Sequence, residues 1–413
     1  MHNQVLTDSE LSRNPTVAIV YDKASVSFGG AERVLSALHE LYPQAPLFTS
    51  LFSSMAQQWN RDMPVVPSFL QFLNWIPNSY RLLVPFFPLA FESFSLADFD
   101  IIVSVTSGEA KGVLTKPDQL HICYLLTPPR YLYSHAHEYE SHPSVSSRML
   151  QPFIRTATKY LRWWDQAAIH RPDYIVPISQ LVAKRVTTYY KLGTEKVLYP
   201  PVAATSIEKA YSLPYKYFLS VSRLVPYKRV DLSIAACVKH QKTLIIVGSG
   251  MEYQRLFTLA ASNAAVRKKD QNLYTFLLSA SKLQATILFV GNVSEDELQK
   301  LYAGAIALVL PGLEDFGIAA LEAALQGTPT IMQKNSGVAE ILTAPKLSIP
   351  LLELTVDAMI DSMKKLEKTK FSSGPLQAAA RNHTTSYFKK SFARLVNQLW
   401  RHHNTTKETY VSS

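Results

Sequence analysis

Two clusters of ionisable residues stand about ninety positions apart in this 413-residue chain. The stretch Ser222-Arg223-Leu224-Val225-Pro226-Tyr227-Lys228-Arg229 places three permanent cations within seven positions, directly after an apolar run. The stretch Glu314-Asp315-Phe316-Gly317-Ile318, followed by Glu322, spaces two carboxylates eight residues apart across the start of a helix. An arginine fork and a lysine point charge can hold a diphosphate and stabilise the charge that builds up on it as a bond breaks. Each glutamate can accept two hydroxyl hydrogen bonds from a sugar ring or ribose. Gly317 permits close backbone approach, and the amides of Phe316, Gly317 and Ile318 at the helix start can face an anion. Together the clusters suit a phosphate-bearing, hydroxyl-rich ligand. The plainer readings are a solvated basic loop and acids that complement a helix dipole. Glu322 lies too far into its helix for the second, and both clusters follow strand-like runs, which argues against the first.

The elements that must carry these residues read as alternating strands and helices. Thr16 to Tyr21, Asp100 to Thr106, His121 to Leu126 and Tyr174 to Ile178 are short apolar or β-branched runs ending in turn residues, as buried parallel strands do. After Pro200-Pro201 the stretch Val202 to Leu213 reads as a connection between domains. The pattern restarts with Tyr217 to Val221, Thr243 to Val247, Thr286 to Val290, Ala305 to Leu310 and Pro329 to Met332. Ser294-Glu295-Asp296-Glu297 is a capping box, and the helix from Ile318 to Gln326 stops at Gly327. Ala264 to Gln284 reads as a surface insertion, and Gln377 to His403 as an amphipathic helical tail that frays over Asn404 to Ser413. This alternation predicts an α/β chain with two doubly wound parallel sheets.

In such sheets ligands bind beyond the carboxyl ends of the strands, and each motif falls at one. Arg223 and Lys228 follow Tyr217 to Val221, and Glu314 follows Ala305 to Leu310. Gly29-Gly30 follows the first strand and opens a helix, and Gly248-Ser249-Gly250 follows Thr243 to Val247. Either glycine turn alone is weak, and their co-occurrence with the charged clusters gives them weight.

Composition excludes several classes. Two cysteines, Cys123 and Cys237, cannot make a disulfide framework and sit in apolar runs, so buried free thiols and a reducing cytoplasm are expected. Met1 to Asn14 has no signal-peptide pattern, and no run reaches the ~20 apolar residues of a membrane span. The net charge of +10 favours anionic partners without choosing among them. Leu82 to Phe91 with Arg81, and Arg155 to Arg171 with Lys159, Arg162, Trp163 and Trp164, read equally as ordinary packing or as a basic-aromatic face for an anionic bilayer. His135 and His137 have no partner spacing for a metal.

The run from Ser222 to Leu232, with Val247-Gly248-Ser249-Gly250, Phe289-Val290-Gly291 and Leu310 to Ile318, resembles the retaining GT-B glycosyltransferases of family 4. The first half adds Tyr21-Asp22, Phe28-Gly29-Gly30-Ala31-Glu32-Arg33-Val34-Leu35, Thr127-Pro128-Pro129-Arg130-Tyr131-Leu132-Tyr133 and Tyr199-Pro200-Pro201-Val202. These are similar to the mannosyltransferase-like branch that builds bacterial surface polysaccharide, including lipopolysaccharide, and the resemblance covers Val17 to Ile341. It implies a GT-B fold of two Rossmann-like domains facing across a cleft. Residues 15–205 would form the acceptor-side domain and 206–376 the nucleotide-sugar domain. Residues 377–403 would be helices packing back on the first domain, between flexible ends at 1–14 and 404–413. It further implies transfer of a hexose, mannose favoured, from a nucleotide-diphosphate sugar to a glycan or lipid-linked glycan with retention. Arg223 and Lys228 would bind the diphosphate, Glu314 the donor sugar and Glu322 the ribose. Gly29 and Gly30 would close on the diphosphate, Gly248 would line the donor site, and no metal cofactor or nucleic acid is expected. The enzyme is expected in the cytoplasm, peripheral on an anionic membrane face.

Two positions depart from the resemblance. Leu126 stands where the branch usually has a histidine touching the donor sugar, so either the sugar lacks that contact or a neighbour such as Tyr124, Thr127 or His121 substitutes. Ala320 replaces a usual proline. Leu126 keeps open a catalytically degenerate nucleotide-sugar-binding protein; a GT-B sugar-nucleotide epimerase is a further alternative, disfavoured because the Arg/Lys and Glu-to-Glu motifs resemble those of the transferases.

Overall fold

The computed structural model describes residues 15–24, 29–53, 62–73, 83–134, 151–203, 208–280, 282 and 285–411. The chain divides into two compact units. The first comprises residues up to Ile178, Val182–Leu198 and Lys389 onward, and the second comprises Ser179–Leu181 and Tyr199–Phe388. The dividing position is Leu198–Tyr199 rather than 205–206, because Tyr199 already stacks on Phe316 of the second unit. The expected flexible end at 1–14 lies outside the described residues.

The first unit holds a parallel sheet of β1 (Val17–Tyr21), β2 (Leu47–Thr49), β3 (Val65–Pro67), β4 (Ile101–Thr106), β5 (Leu120–Leu125) and β6 (Tyr174–Pro177), in the order β3-β2-β1-β4-β5-β6. β1 lies in register with β4, Val17 opposite Ile101. β1, β4 and β5 are buried at every residue, which is why they read as unbroken apolar runs rather than alternating ones. Ala18, Val20, Ile102, Phe48, Phe87 and Phe91 form the core on one face. Its helices include α1 (Gly30–Leu41), α2 (Phe87–Glu92), α3 (Gln151–Ala168) and α4 (Gln180–Tyr190), the last entering from the second unit.

The second unit holds β7 (Tyr217–Val221), β8 (Thr243–Val247), β9 (Ala264–Val266), β10 (Ile287–Gly291), β11 (Ala307–Leu310), β12 (Thr330–Gln333) and β13 (Ser348–Leu351). All pair in parallel, in the order β13-β12-β11-β7-β8-β10-β9. Helices α5 (Val230–Lys239), α6 (Tyr253–Ala260), α7 (Leu273–Ala280), α8 (Glu295–Gly304), α9 (Ile318–Leu325) and α10 (Val356–Lys368) cross between or follow the strands. The capping box is present: Glu297 N donates to Ser294 Oγ (3.3 Å) and Ser294 N to Glu297 Oε2 (2.9 Å). α9 ends before Gly327, whose φ of 82° is the left-handed cap.

Two expectations need correction. Ala264 to Gln284 is not a surface insertion: Ala264 pairs with Ile287 at the sheet edge, and α7 buries Leu273, Phe276, Leu277 and Ala280. That i, i+3, i+4, i+7 spacing is a core-facing helical stripe. The tail is two helices, α11 (Ser373–Arg381) and α12 (Thr385–Val411), not one. The break is held where Val202 N donates to His383 O (2.8 Å) and Thr385 N to Val202 O (3.2 Å). α12 continues to Val411 instead of fraying at Asn404, and in the first unit its Phe392 packs edge-on to Tyr124 while Lys389 pairs with Glu40 at 2.6 Å.

Both cysteines are buried free thiols, and burial pushes the Cys123 thiol up to about 12, away from reactivity. No helix among the described residues is long and apolar enough to cross a membrane. The two tryptophans of α3 divide: Trp164 is buried and donates to Glu92 Oε1 (2.7 Å), whereas Trp163 is 68% exposed. Phe86 and Leu89 are also exposed, Phe87, Ala90 and Phe91 are buried, and Arg81 and Leu82 lie outside the described residues.

Candidate functional site

In the second sheet the chain winds from β7 to β8 on one side while β11 flanks β7 on the other. A crevice therefore opens beyond the carboxyl ends of β7 and β11, where a doubly wound sheet binds its ligand. The two charged clusters follow these two strands. The loops pack backbone to backbone there. A Cβ on Gly312 would lie 2.3 Å from Tyr227 O, and one on Gly248, whose φ is +126°, would lie 2.0 Å from Ser222 O. Only glycine fits at either position.

Lys228 and Glu314, 86 residues apart in sequence, form an ion pair with Nζ to Oε2 at 2.5 Å and side chains 15% and 11% exposed. Arg223 is exposed and its Nη2 donates to Tyr227 Oη at 3.0 Å, while the Lys228 ammonium lies 5.5 Å from the Tyr227 ring centroid. Tyr227 thus orients both cations, a role its place between them in the motif hints at. Arg229, the third cation, is turned away: its Nε donates to Asp231 Oδ1 at 3.1 Å at the start of α5. Of the three cations expected from the sequence, two face the crevice loops and one is structural.

On the carboxylate side, Gly317 caps α9 with φ of 102°, and Ile318 begins the helix. The Phe316 ring is buried and stacks on Tyr199, so only its backbone is offered to a ligand. Glu322 is buried with Oε2 accepting from Tyr302 Oη at 2.9 Å, so any ribose contact shares a carboxylate already bonded to α8. Gly248 closes β8 in the left-handed region beside Ser222.

Gly29 and Gly30 belong to the first unit, at the start of α1; Gly29 is extended at the cap position and Gly30 is exposed. Of the expected substitutes for a histidine at Leu126, Tyr124 and His121 are engaged elsewhere. Tyr124 is fully buried and donates to Leu198 O (2.8 Å), and His121 is fully buried with Nε2 2.9 Å from Ser104 Oγ. Thr127 Oγ1 accepts from Arg185 (2.9 Å). Burial first, then the Arg171 charge, lowers His121 to about 3, which keeps it neutral.

The switch point of the first sheet, between β1 and β4, carries a charge cluster that spacing does not reveal. Asp22 accepts from Thr106 Oγ1 (2.6 Å), Ala110 N (2.9 Å) and Ser107 N (2.7 Å), fixing the turn after β4. On that turn Glu109 accepts from Tyr131 Oη at 2.5 Å, and the fully buried Lys111 pairs with Asp165 of α3 at 2.5 Å. Burial, reinforced by Asp22 and Asp165 and opposed by Tyr131 and Lys111, raises Glu109 to about 7. A raised carboxyl keeps its proton in the folded chain between about pH 4.5 and 7 while the unfolded chain loses it, so stability falls as pH rises through that window. Glu109→Gln is expected to remove that fall, about 3 kcal/mol at full extent. Denaturation midpoints at pH 5, 6 and 7 measure it, and a variant with the wild-type pH slope would refute the assignment. Below about pH 6.5 the neutral His121 adds an opposite loss, common to both proteins.

Comparison with known proteins places this geometry. Residues 206–383 match the family Glycosyl transferases group 1. The O-antigen chain mannosyltransferase RfbU of Salmonella typhimurium is 27% identical over 195 residues, 45% of this chain and 48% of that protein. The GDP-mannose-dependent alpha-(1-6)-phosphatidylinositol monomannoside mannosyltransferase of Mycobacterium tuberculosis is 24% identical over 212 residues, 48% of this chain and 50% of that one. The matches span no more than half the length of any of these curated relatives. The structure of Anabaena HepE in complex with UDP and glucose superposes with a TM-score of 0.62 at 16% identity, covering 93% of this chain and 100% of that one. That likeness speaks to fold alone: two Rossmann-like parallel sheets of GT-B type. Residues 206–383, which carry both charged clusters at the switch point of the second sheet, are the part of the chain that matches the group 1 glycosyl transferases.

Proposed function

We propose that the protein transfers a hexose, mannose favoured, from a nucleotide-diphosphate sugar to a hydroxyl of a glycan or lipid-linked glycan, with retention at the anomeric carbon. The observation that carries this reading is the Lys228–Glu314 pair at the β7/β11 switch point, beside Arg223. It joins a cation for the leaving diphosphate to a carboxylate for sugar hydroxyls within one crevice. The bond from the anomeric carbon to the diphosphate breaks, and Arg223 and Lys228 offset the charge that develops on the departing oxygen. Two side-chain cations can fill this electrophilic role without a metal. GDP-mannose is favoured as donor because the mycobacterial relative is named for it.

A lipid-linked acceptor is favoured by the first unit's surface. Exposed Tyr160 and Trp163 of α3 stand with exposed Arg155 and Lys159, and α3 packs against the Val84–Phe86 turn that exposes Phe86. Aromatic and cationic side chains in one surface suit an anionic bilayer.

A thermal-shift panel of GDP-, UDP-, dTDP- and ADP-sugars, followed by transfer assays, tests the donor, because a ligand of the native state raises stability with its affinity and concentration. GDP-mannose is expected to give the largest shift. No shift with any nucleotide sugar would sink the proposal, and binding with neither transfer nor donor hydrolysis would favour the nucleotide-sugar sensor. Co-sedimentation with vesicles containing phosphatidylglycerol, reduced by Trp163→Ala, tests the acceptor side. Equal pelleting with purely zwitterionic vesicles would remove the case for an anionic membrane.

A further inference from the structure

The chain enters the second unit at Ser179, leaves after Leu181 and returns at Tyr199. Gln180, Leu181 and Tyr199 of these segments are held by one carboxylate, Glu340, which ends the 3-10 turn Gly337–Glu340. Its Oε2 accepts from Gln180 N (3.0 Å) and Tyr199 Oη (3.0 Å), and its Oε1 from Leu181 N (3.1 Å). Burial first, then the charge and hydrogen bond of Glu340, raises the Tyr199 hydroxyl to about 12, so it remains a donor.

The same connectors hold the turn that carries Glu314. Ser179 Oγ donates to Asp315 O at 2.6 Å, and the Tyr199 ring stacks on Phe316 with centroids 5.7 Å apart. From the other side Gly337 N donates to Glu314 O (2.9 Å) and Val338 N to Phe316 O (2.6 Å). A Cβ on Gly337 would lie 2.2 Å from Asp315 O, so the layers have no slack. The backbone of Glu314, Asp315 and Phe316 is thus clamped between the Glu340 turn on one side and, on the other, Tyr199, which Glu340 binds, and Ser179, which adjoins the Glu340-bound Gln180.

We infer that Glu340 is a positioning residue for the donor sugar: it aims the Glu314–Gly317 turn by fastening Ser179–Leu181 and Tyr199 against it. The inference rests on the donor reading above. The connectors meet the turn at Asp315 and Phe316, whereas Arg223 and Lys228 lie on the loop after β7. Loss of Glu340 therefore acts on the sugar more than on the diphosphate.

Two measurements on Glu340→Gln decide it. In ligand-free protein, amide hydrogen exchange is expected to quicken at 179–182 and also at 314–318. Quickening confined to 179–182 would overturn the coupling whatever the donor is. In binding assays GDP is expected to keep its affinity within about twofold. The gain of GDP-mannose over GDP and the transfer rate are expected to fall about tenfold or more, the scale set by a small misplacement of a binding group. Equal losses for GDP and GDP-mannose would mark a merely structural role and overturn the inference. If wild-type protein binds GDP-mannose no better than GDP, the donor reading fails and the exchange experiment still decides the coupling. Ser179→Ala, which removes the bond to Asp315 O, is the second variant should Glu340→Gln fold poorly. It is expected to quicken exchange at 314–318, and unchanged exchange there would count against the proposal.

Discussion

Lys228→Ala is expected to lower transfer from GDP-mannose by about 10²–10³-fold, the scale of removing one preorganised donor from a developing negative charge. The ammonium lies in a crevice where its own side chain is 15% exposed, so water replaces it poorly. The pairing with Glu314 adds a sharper expectation. Without ligand, Glu314 partly neutralises Lys228, and a diphosphate must share or displace that contact. Glu314→Gln is therefore expected to bind GDP at least as tightly as wild type while transferring about 10²-fold more slowly, because a sugar-hydroxyl acceptor is lost as the cation is freed. Titration with GDP and single-turnover transfer separate the two effects. Wild-type transfer by Lys228→Ala across several nucleotide sugars would end the assignment of this lysine to the reaction.

The second large effect is on stability. Asp165→Ala is expected to destabilise the first unit by about 3–5 kcal/mol, because it strands a buried cation. Lys111 is fully buried, Asp165 lies 2.5 Å away, and Tyr133 and Tyr190 each donate to the far carboxylate oxygen at 2.7 Å. Burial alone pulls the Lys111 ammonium down, but the charge and hydrogen bond of Asp165 outweigh it and leave the lysine raised. Removing the carboxylate reverses that balance. The double variant Lys111→Met, Asp165→Leu is expected to recover much of the loss, since an apolar pair leaves no buried charge unmatched. Denaturant midpoints measure both. A single variant within about 1 kcal/mol of wild type would show that this pair does not hold the unit together.

Much of the second unit was legible. Its long strands are buried on both faces and stand out as apolar runs, and β7 and β8 fall where expected. The three- and four-residue strands β3, β9 and β13 at sheet edges, and β2 beside β3, are too short for any period to appear. The α7 stripe was present in the sequence and was masked by the polar residues before it. Leu126 marks a different limit: His121, Tyr124 and Thr127 look available in sequence, and only packing shows their polar atoms turned to Ser104, Leu198 and Arg185.

The sequence by itself determined the alternation of strand and helix, the two charged clusters, the glycines where loops must touch and the absence of a disulfide framework. Each is local, since a capping box, a buried strand or a phosphate-binding loop is written within a few consecutive residues. The tertiary structure alone decided which charges meet. Lys228 finds Glu314 across 86 residues, Lys111 finds Asp165, and Glu340 collects Gln180, Leu181 and Tyr199. The reason is topological: parallel strands are joined by helical crossovers, so neighbours in the sheet are distant in sequence and no spacing rule records their contacts. The same winding order that hides these pairs from the sequence brings Arg223, Lys228 and Glu314 to one switch point.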